Sequence, residues 1–113
     1  MGKKTEGKLE LLQGTLDMMV LRTLVAGPAN GYEIARAIER ESEEVLAVDH
    51  GSLYPALRRL ERDGFVAAKW QVSSTNRQAR YYKLTPAGRQ RLNAERSKWE
   101  QLAAAVNRVM RPA

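Results

Sequence analysis

Apolar positions recur every three or four residues along most of the chain, and one stretch switches to alternation. Leu16, Val20 and Leu24 are spaced by four and predict a helix that runs to Ala26, where Gly27-Pro28 supplies a stop. Asn30-Gly31-Tyr32-Glu33 has the spacing of a capping box, with Asn30 as cap and Glu33 reaching back. A short second helix follows with Ile34 and Ile38 inward, and it fades near Ser42 into an acidic, weakly patterned stretch. In GSLYPALRRLERDGF, residues 51–65, Leu53, Leu57 and Leu60 make one stripe, with Arg58, Arg59 and Arg62 away from it. Asp63-Gly64 ends that third helix. Its start has two readings. With Ser52 as cap, Pro55 falls in the first turn, where a missing N–H costs nothing; with Asp49 as cap, Pro55 is the sixth helical residue and a hydrogen bond to Gly51 is lost.

Beyond Gly64 the period changes. Val66, Ala68 and Trp70 alternate with less apolar neighbours, and 79–84 (ARYYKL) is a second aromatic-rich run; the polar cluster Ser73-Ser74-Thr75-Asn76 lies between them. The pattern predicts a β-hairpin with a polar, basic loop. Tyr81 and Tyr82 point to opposite faces, so at least one belongs to the core. Thr85 caps a last helix with Pro86 at its first position, and Pro112 stops it near Met110. Its apolar residues Leu92, Trp99, Leu102, Val106 and Val109 are spaced like a coiled-coil seam.

The order helix, helix, helix, hairpin, long helix is mainly α with a small β-hairpin (α+β). It is the plan of a winged helix-turn-helix domain followed by a long C-terminal dimerisation helix. Residues 1–8 are polar and expected to fray, 9–84 form the winged domain, and 85–113 form the C-terminal helix.

Charge sharpens this plan. The chain has 113 residues, 28% of them charged, and a net charge of +6. Residues 1–50 hold six Lys+Arg against nine Asp+Glu, whereas residues 51–113 hold 13 against four. The −3 and +9 halves put the basic excess on the third helix, hairpin and last helix, which points to a polyanion partner. There is no cysteine, which fits a reducing cytoplasm. No apolar run is long enough to span a bilayer, and no apolar stretch follows Lys3-Lys4 as in a signal peptide, so no membrane partner is expected. A single histidine, His50, leaves no metal cluster, Asp17 and Asp49 read as helix-end carboxylates, and no glycine-rich phosphate loop occurs. No catalytic residue, cofactor or metal is therefore expected.

The segments LDMMVL (16–21), GYEI (31–34), GSLYPALRRLE (51–61) and RYYKLT (80–85) together resemble the PadR-like family of bacterial transcriptional regulators. The likeness covers nearly the whole chain beyond the first eight residues. It implies a cytoplasmic homodimer that binds a palindromic operator in double-stranded DNA as a repressor released by a small-molecule effector. The single C-terminal helix resembles the short subgroup of the family. There, a tryptophan at the place of Trp99 can line a cavity at the dimer centre and stack on a flat aromatic compound.

On a helical wheel Gly51, Pro55, Arg58 and Arg62 share the free face of the third helix, flanked by Ser52 and Arg59. Arg58 or Arg59 would meet a guanine edge or a phosphate, and Ser52 would meet a phosphate at the positive helix end. Tyr54 and Tyr32 allow either core packing or a phosphate contact. In the hairpin, Lys69, Arg77 and Arg80 are candidates for the DNA backbone, with Arg77 in the loop first. Trp99, Leu102, Val106 and Val109, with Leu92, Leu9 and Leu12, form the expected dimer seam. The alternative function is a winged-helix protein–protein adaptor without specific DNA binding, since a fold does not fix a function.

Overall fold

A computed structural model describes residues 13–112 of the chain. Helix α1 (Gln13–Thr23) tightens into a 3₁₀ turn over Leu24–Ala26. Strand β1 (Ala29–Asn30) leads into α2 (Gly31–Glu41) and α3 (His50–Arg62). Strands β2 (Val66–Val72) and β3 (Gln78–Leu84) form the hairpin, and α4 (Pro86–Met110) is the last element. The Leu9 and Leu12 positions of the expected seam, and the expected fraying of residues 1–8, lie outside the described residues.

The core forms where the stripes meet. α1 packs against α2, α3 and α4 and contributes Leu16, Val20 and Leu21, with Leu24 from the following turn. Ile34 and Ile38 of α2, Leu53, Leu57 and Leu60 of α3, and Val66, Tyr82 and Leu84 of the sheet close around them. Tyr82 is the core tyrosine of the pair. Both α2 cap bonds are present: Asn30 Oδ1 accepts from Glu33 N at 2.9 Å, and Glu33 Oε1 accepts from Asn30 N at 3.0 Å. After α2, Glu43 and Glu44 take left-handed φ values, and the Glu39 carboxylate pins the turn by accepting from Val48 N at 3.0 Å.

The earlier start of α3 is the one adopted. Asp49 is its cap, with Oδ1 accepting from Ser52 N at 3.1 Å, so Pro55 is the sixth helical residue. Gly51 serves that cap: a Cβ there would stand 2.9 Å from Asp49 Oδ1.

The hairpin is part of a three-stranded antiparallel sheet in the order β1-β3-β2. Ala29 and Asn30 pair with Tyr82 and Tyr81, an addition that a two-residue strand is too short to signal in a hydrophobic pattern. Val66, Ala68 and Trp70 share one face as expected, yet only Val66 is buried and Trp70 is 61% exposed. The hairpin has left the body of the domain by that point, and Lys69, Trp70, Gln71 and Val72 all stand in solvent.

Thr85 caps α4, its hydroxyl accepting from Gly88 N at 3.0 Å, and Pro86 opens the helix. Gly88 is buried where α4 crosses the start of β2. A Cβ at this position would overlap the Phe65 carbonyl oxygen and stand 2.9 Å from Leu84 Cδ1. Arg91 lies over the Phe65 ring at 5.1 Å on the same junction. One seam position is corrected here: Leu92 is 7% exposed and belongs to the core of its own chain. Trp99 and Leu102 lie further along, beside a hollow that α4 shares with α1, with Val106 and Val109 beyond it, and all four are exposed. The radius of gyration is 15.4 Å, above the roughly 13 Å of a compact chain of this length, because α4 projects.

Candidate nucleic-acid interface

Helix α3, the start of α2 and the hairpin enclose an open cleft of about 1050 Å³. Five of the residues singled out in the sequence converge on it: Tyr32, Tyr54, Arg58, Arg77 and Arg80. Tyr32 is 65% exposed at the first turn of α2. The Tyr54 ring packs against Gly31 and meets His50 edge-on at 5.6 Å, so it combines a packing role with an exposed rim. Arg77 sits in the five-residue loop between the strands, which is closed by Ser73 N donating to Arg77 O at 2.7 Å.

The remaining candidates are dispersed. Pro55 lies on the solvent surface of α3 with Arg58 and Arg62. Ser52 is exposed, but Asp49 holds its amide at 3.1 Å and its hydroxyl at 3.2 Å. Lys69 stands on the opposite sheet face, beside Gln71, Tyr81 and Lys83.

Arg59 turns inward from the free face of α3. Its Nη2 donates to Asp17 Oδ1 at 2.8 Å, tying α3 to α1. Asp17 lies in the middle of α1, which corrects its reading as a helix-end carboxylate. Burial pushes the Asp17 carboxyl above its ordinary value, against the pull of Arg59 and the more distant Arg91.

Pairing sorts the cations. Arg59 is held by Asp17, Arg62 by Asp63 at 3.1 Å, and Arg80 by Glu61 at 2.6 Å. Arg58, Lys69, Arg77 and Lys83 have no ion pair among the described residues. Uncompensated cations thus line the cleft from the α3 side, through Arg58, and from the loop side, through Arg77. Both present their charge to solvent, where it can meet an anion without losing an internal partner.

Glu61, Trp70 and Tyr82 also line the cleft, although sequence reasoning gave them no part in the site. Trp70 pairs directly with Arg80 across the strands, and the guanidinium carbon lies 5.7 Å from its ring centroid. A strand alignment could have flagged that pair; nothing local marks Glu61.

A smaller hollow of about 250 Å³ lies between α1 and α4, lined by Thr15, Met18, Glu95, Lys98, Trp99 and Leu102 among others. Among the described residues no group of three His, Asp or Glu side chains is placed to hold a metal, and no helix is long and apolar enough to cross a membrane.

Residues 20–94 match the model of the transcriptional regulator PadR-like family. A transcriptional regulator of Mycobacterium tuberculosis is 44% identical over 97 residues, covering 86% of this chain and 87% of that protein. The negative transcriptional regulator PadR of Bacillus subtilis is 28% identical over 78 residues, covering 69% of this chain but 43% of that longer protein. Among solved structures, a transcriptional regulator from Clostridium thermocellum superposes with a TM-score of 0.80 at 27% identity, covering 88% of this chain and 96% of that one.

Proposed function

Because the chain belongs to the PadR-like family of transcriptional regulators, we propose that it binds a specific DNA operator as a homodimer and represses transcription there. The observation that carries this reading is the cleft with Arg58 on its helical wall and Arg77 on its loop wall, both without an ion pair. Helix α3 enters the major groove, where Arg58 meets a guanine edge or a phosphate. The hairpin is the wing, and Arg77 follows the adjacent backbone or minor groove. Tyr32, Tyr54 and Ser52 border the same surface, with Pro55 stiffening the end of α3 that enters. Lys69 and Lys83, on the outer wing face, add general attraction.

The second copy covers the exposed stripe Trp99, Leu102, Val106 and Val109. Four large apolar residues in solvent on one projecting helix are what a symmetric helix–helix interface would bury. Such a dimer presents two α3 helices to the half-sites of a palindrome, about one DNA turn (~34 Å) apart. The name of the B. subtilis relative supports the negative sign of regulation. A flat aromatic effector would take the hollow beside Trp99 and release the operator. This activity belongs to the cytoplasm.

The test is operator binding against salt. Arg77→Ala should lower affinity for all sequences and shallow the log–log salt slope by about 0.9, the share of one phosphate contact. Unchanged affinity and slope would remove Arg77 from the interface. A wild-type chain with only weak, salt-insensitive and non-selective DNA affinity would instead indicate a protein–protein adaptor.

A further inference from the structure

Glu61 is out of place in a cleft built for a polyanion. Its side chain is 36% exposed, on the last turns of α3, and it faces the same space as Arg58 and Arg77. Left alone, it would repel phosphate. It is bonded instead to Arg80 Nη2 at 2.6 Å. The same guanidinium stands over the Trp70 ring, its carbon 5.7 Å from the ring centroid. Carboxylate and indole therefore both engage the guanidinium, so a phosphate would have to compete with an internal partner.

The wing needs such an anchor. From Lys69 outward β2 has no core beneath it, and a two-stranded ribbon alone has little stability. Arg80 stands at the level of the sheet where burial ends, opposite Trp70 and two residues from the buried Tyr82. The contact joins the last strand of the wing to the helix proposed to enter the groove, so it sets the angle between the two DNA-contacting elements.

We propose that Arg80 and Glu61 act as a positioning pair: together with Trp70 they lock the wing against α3, and Arg80 makes no phosphate contact of its own. This inference rests on the DNA-binding reading above.

Charge and geometry make opposite forecasts for one substitution. If Glu61 were only an acid near DNA, Glu61→Gln would tighten binding. As a positioning residue, its loss should loosen binding. Operator affinity of the full chain is measured over a range of salt for wild type, Glu61→Gln, Arg80→Gln and the double variant, using DNA selected for binding to the wild type. The expected result is about tenfold weaker binding in each single variant, no further loss in the double, and an unchanged salt slope. In a chain with Trp99→Phe, the emission of Trp70 should also change on Glu61→Gln, as the stacked cation is released. Tighter binding by Glu61→Gln, additive losses in the double variant, or a slope shallower by about 0.9 in Arg80→Gln would overturn the proposal. Selective binding by the wild type together with any of those results would leave the DNA-binding reading standing; a wild type without selective binding overturns both.

Discussion

Two adjacent arginines in α3 should separate cleanly when each is replaced by alanine. Arg58 is exposed and unpaired in the cleft, whereas Arg59 donates to Asp17 at 2.8 Å with both side chains only about a quarter exposed, 28% and 26%. Removing Arg59 strands a carboxylate in a half-buried site. A hydrogen bond to a charged group is worth about 1.5–3 kcal/mol, and breaking a fully buried pair costs about 3–5 kcal/mol. Partial exposure puts Arg59→Ala at the lower figure, roughly 1.5–3 kcal/mol. At about 4 °C per kcal/mol for a domain of this size, the melting temperature should fall by about 6–12 °C.

The pH dependence supplies the sign. Burial already holds the Asp17 carboxyl above its ordinary value, so its contribution to stability is greatest below the unfolded value and is lost as pH rises through the raised folded one. Loss of Arg59 pushes the carboxyl higher still. The deficit of Arg59→Ala should therefore be largest at neutral pH and shrink on acidification, as Asp17 takes up a proton, and Asp17→Asn in the same chain should recover part of it. Arg58→Ala should melt close to wild type and lose about 1–3 kcal/mol of operator binding if it reads a base. Thermal melts at several pH values, paired with operator titrations, decide the matter. An Arg59→Ala chain that melts like wild type and loses DNA affinity as Arg58→Ala does would refute the reasoning, because Arg59 would then be a DNA contact.

Gly88→Ala should destabilise by about 1–3 kcal/mol in a denaturant melt despite the better helix propensity of alanine, because its Cβ meets the rigid Phe65 carbonyl. A neutral or stabilised variant would mean that α4 docks otherwise. Val106→Asp should yield monomers in sedimentation at concentrations where the wild type is dimeric. An intact dimer would take the α4 stripe out of the interface.

What the sequence disclosed was set largely by range. Asn30 with Glu33 and Thr85 with Pro86 are interactions within four residues, and both caps stand where their spacing placed them. The Asp49–Ser52 ambiguity was real, since both residues can cap; the carboxylate took the role and engaged the serine. The division between Arg58 and Arg59 could not be seen in advance, because the partner of Arg59 lies 42 residues away. Glu61 and Arg80 are hidden in the same way. The stripe on α4 was legible as apolar but not as divided. Periodicity marks a face that will be covered and is silent about whether the same chain covers it, so Leu92 and Trp99 look alike in the pattern although one is buried in its own core and the other is 45% exposed.

With 25 residues at about 1.5 Å each, α4 is a rod about 37 Å long, seated at its near end on Gly88 and Phe65. One degree of tilt at that seat moves the far end by about 0.6 Å. In the proposed dimer, joined near that far end, the seat would act as the fulcrum of a lever, and the spacing of the two α3 helices would become a matter of aim. A few degrees, from a side chain added at Gly88 or a compound wedged beside Trp99, would then carry both α3 helices out of step with the turn of the double helix while every proposed DNA contact residue remained intact.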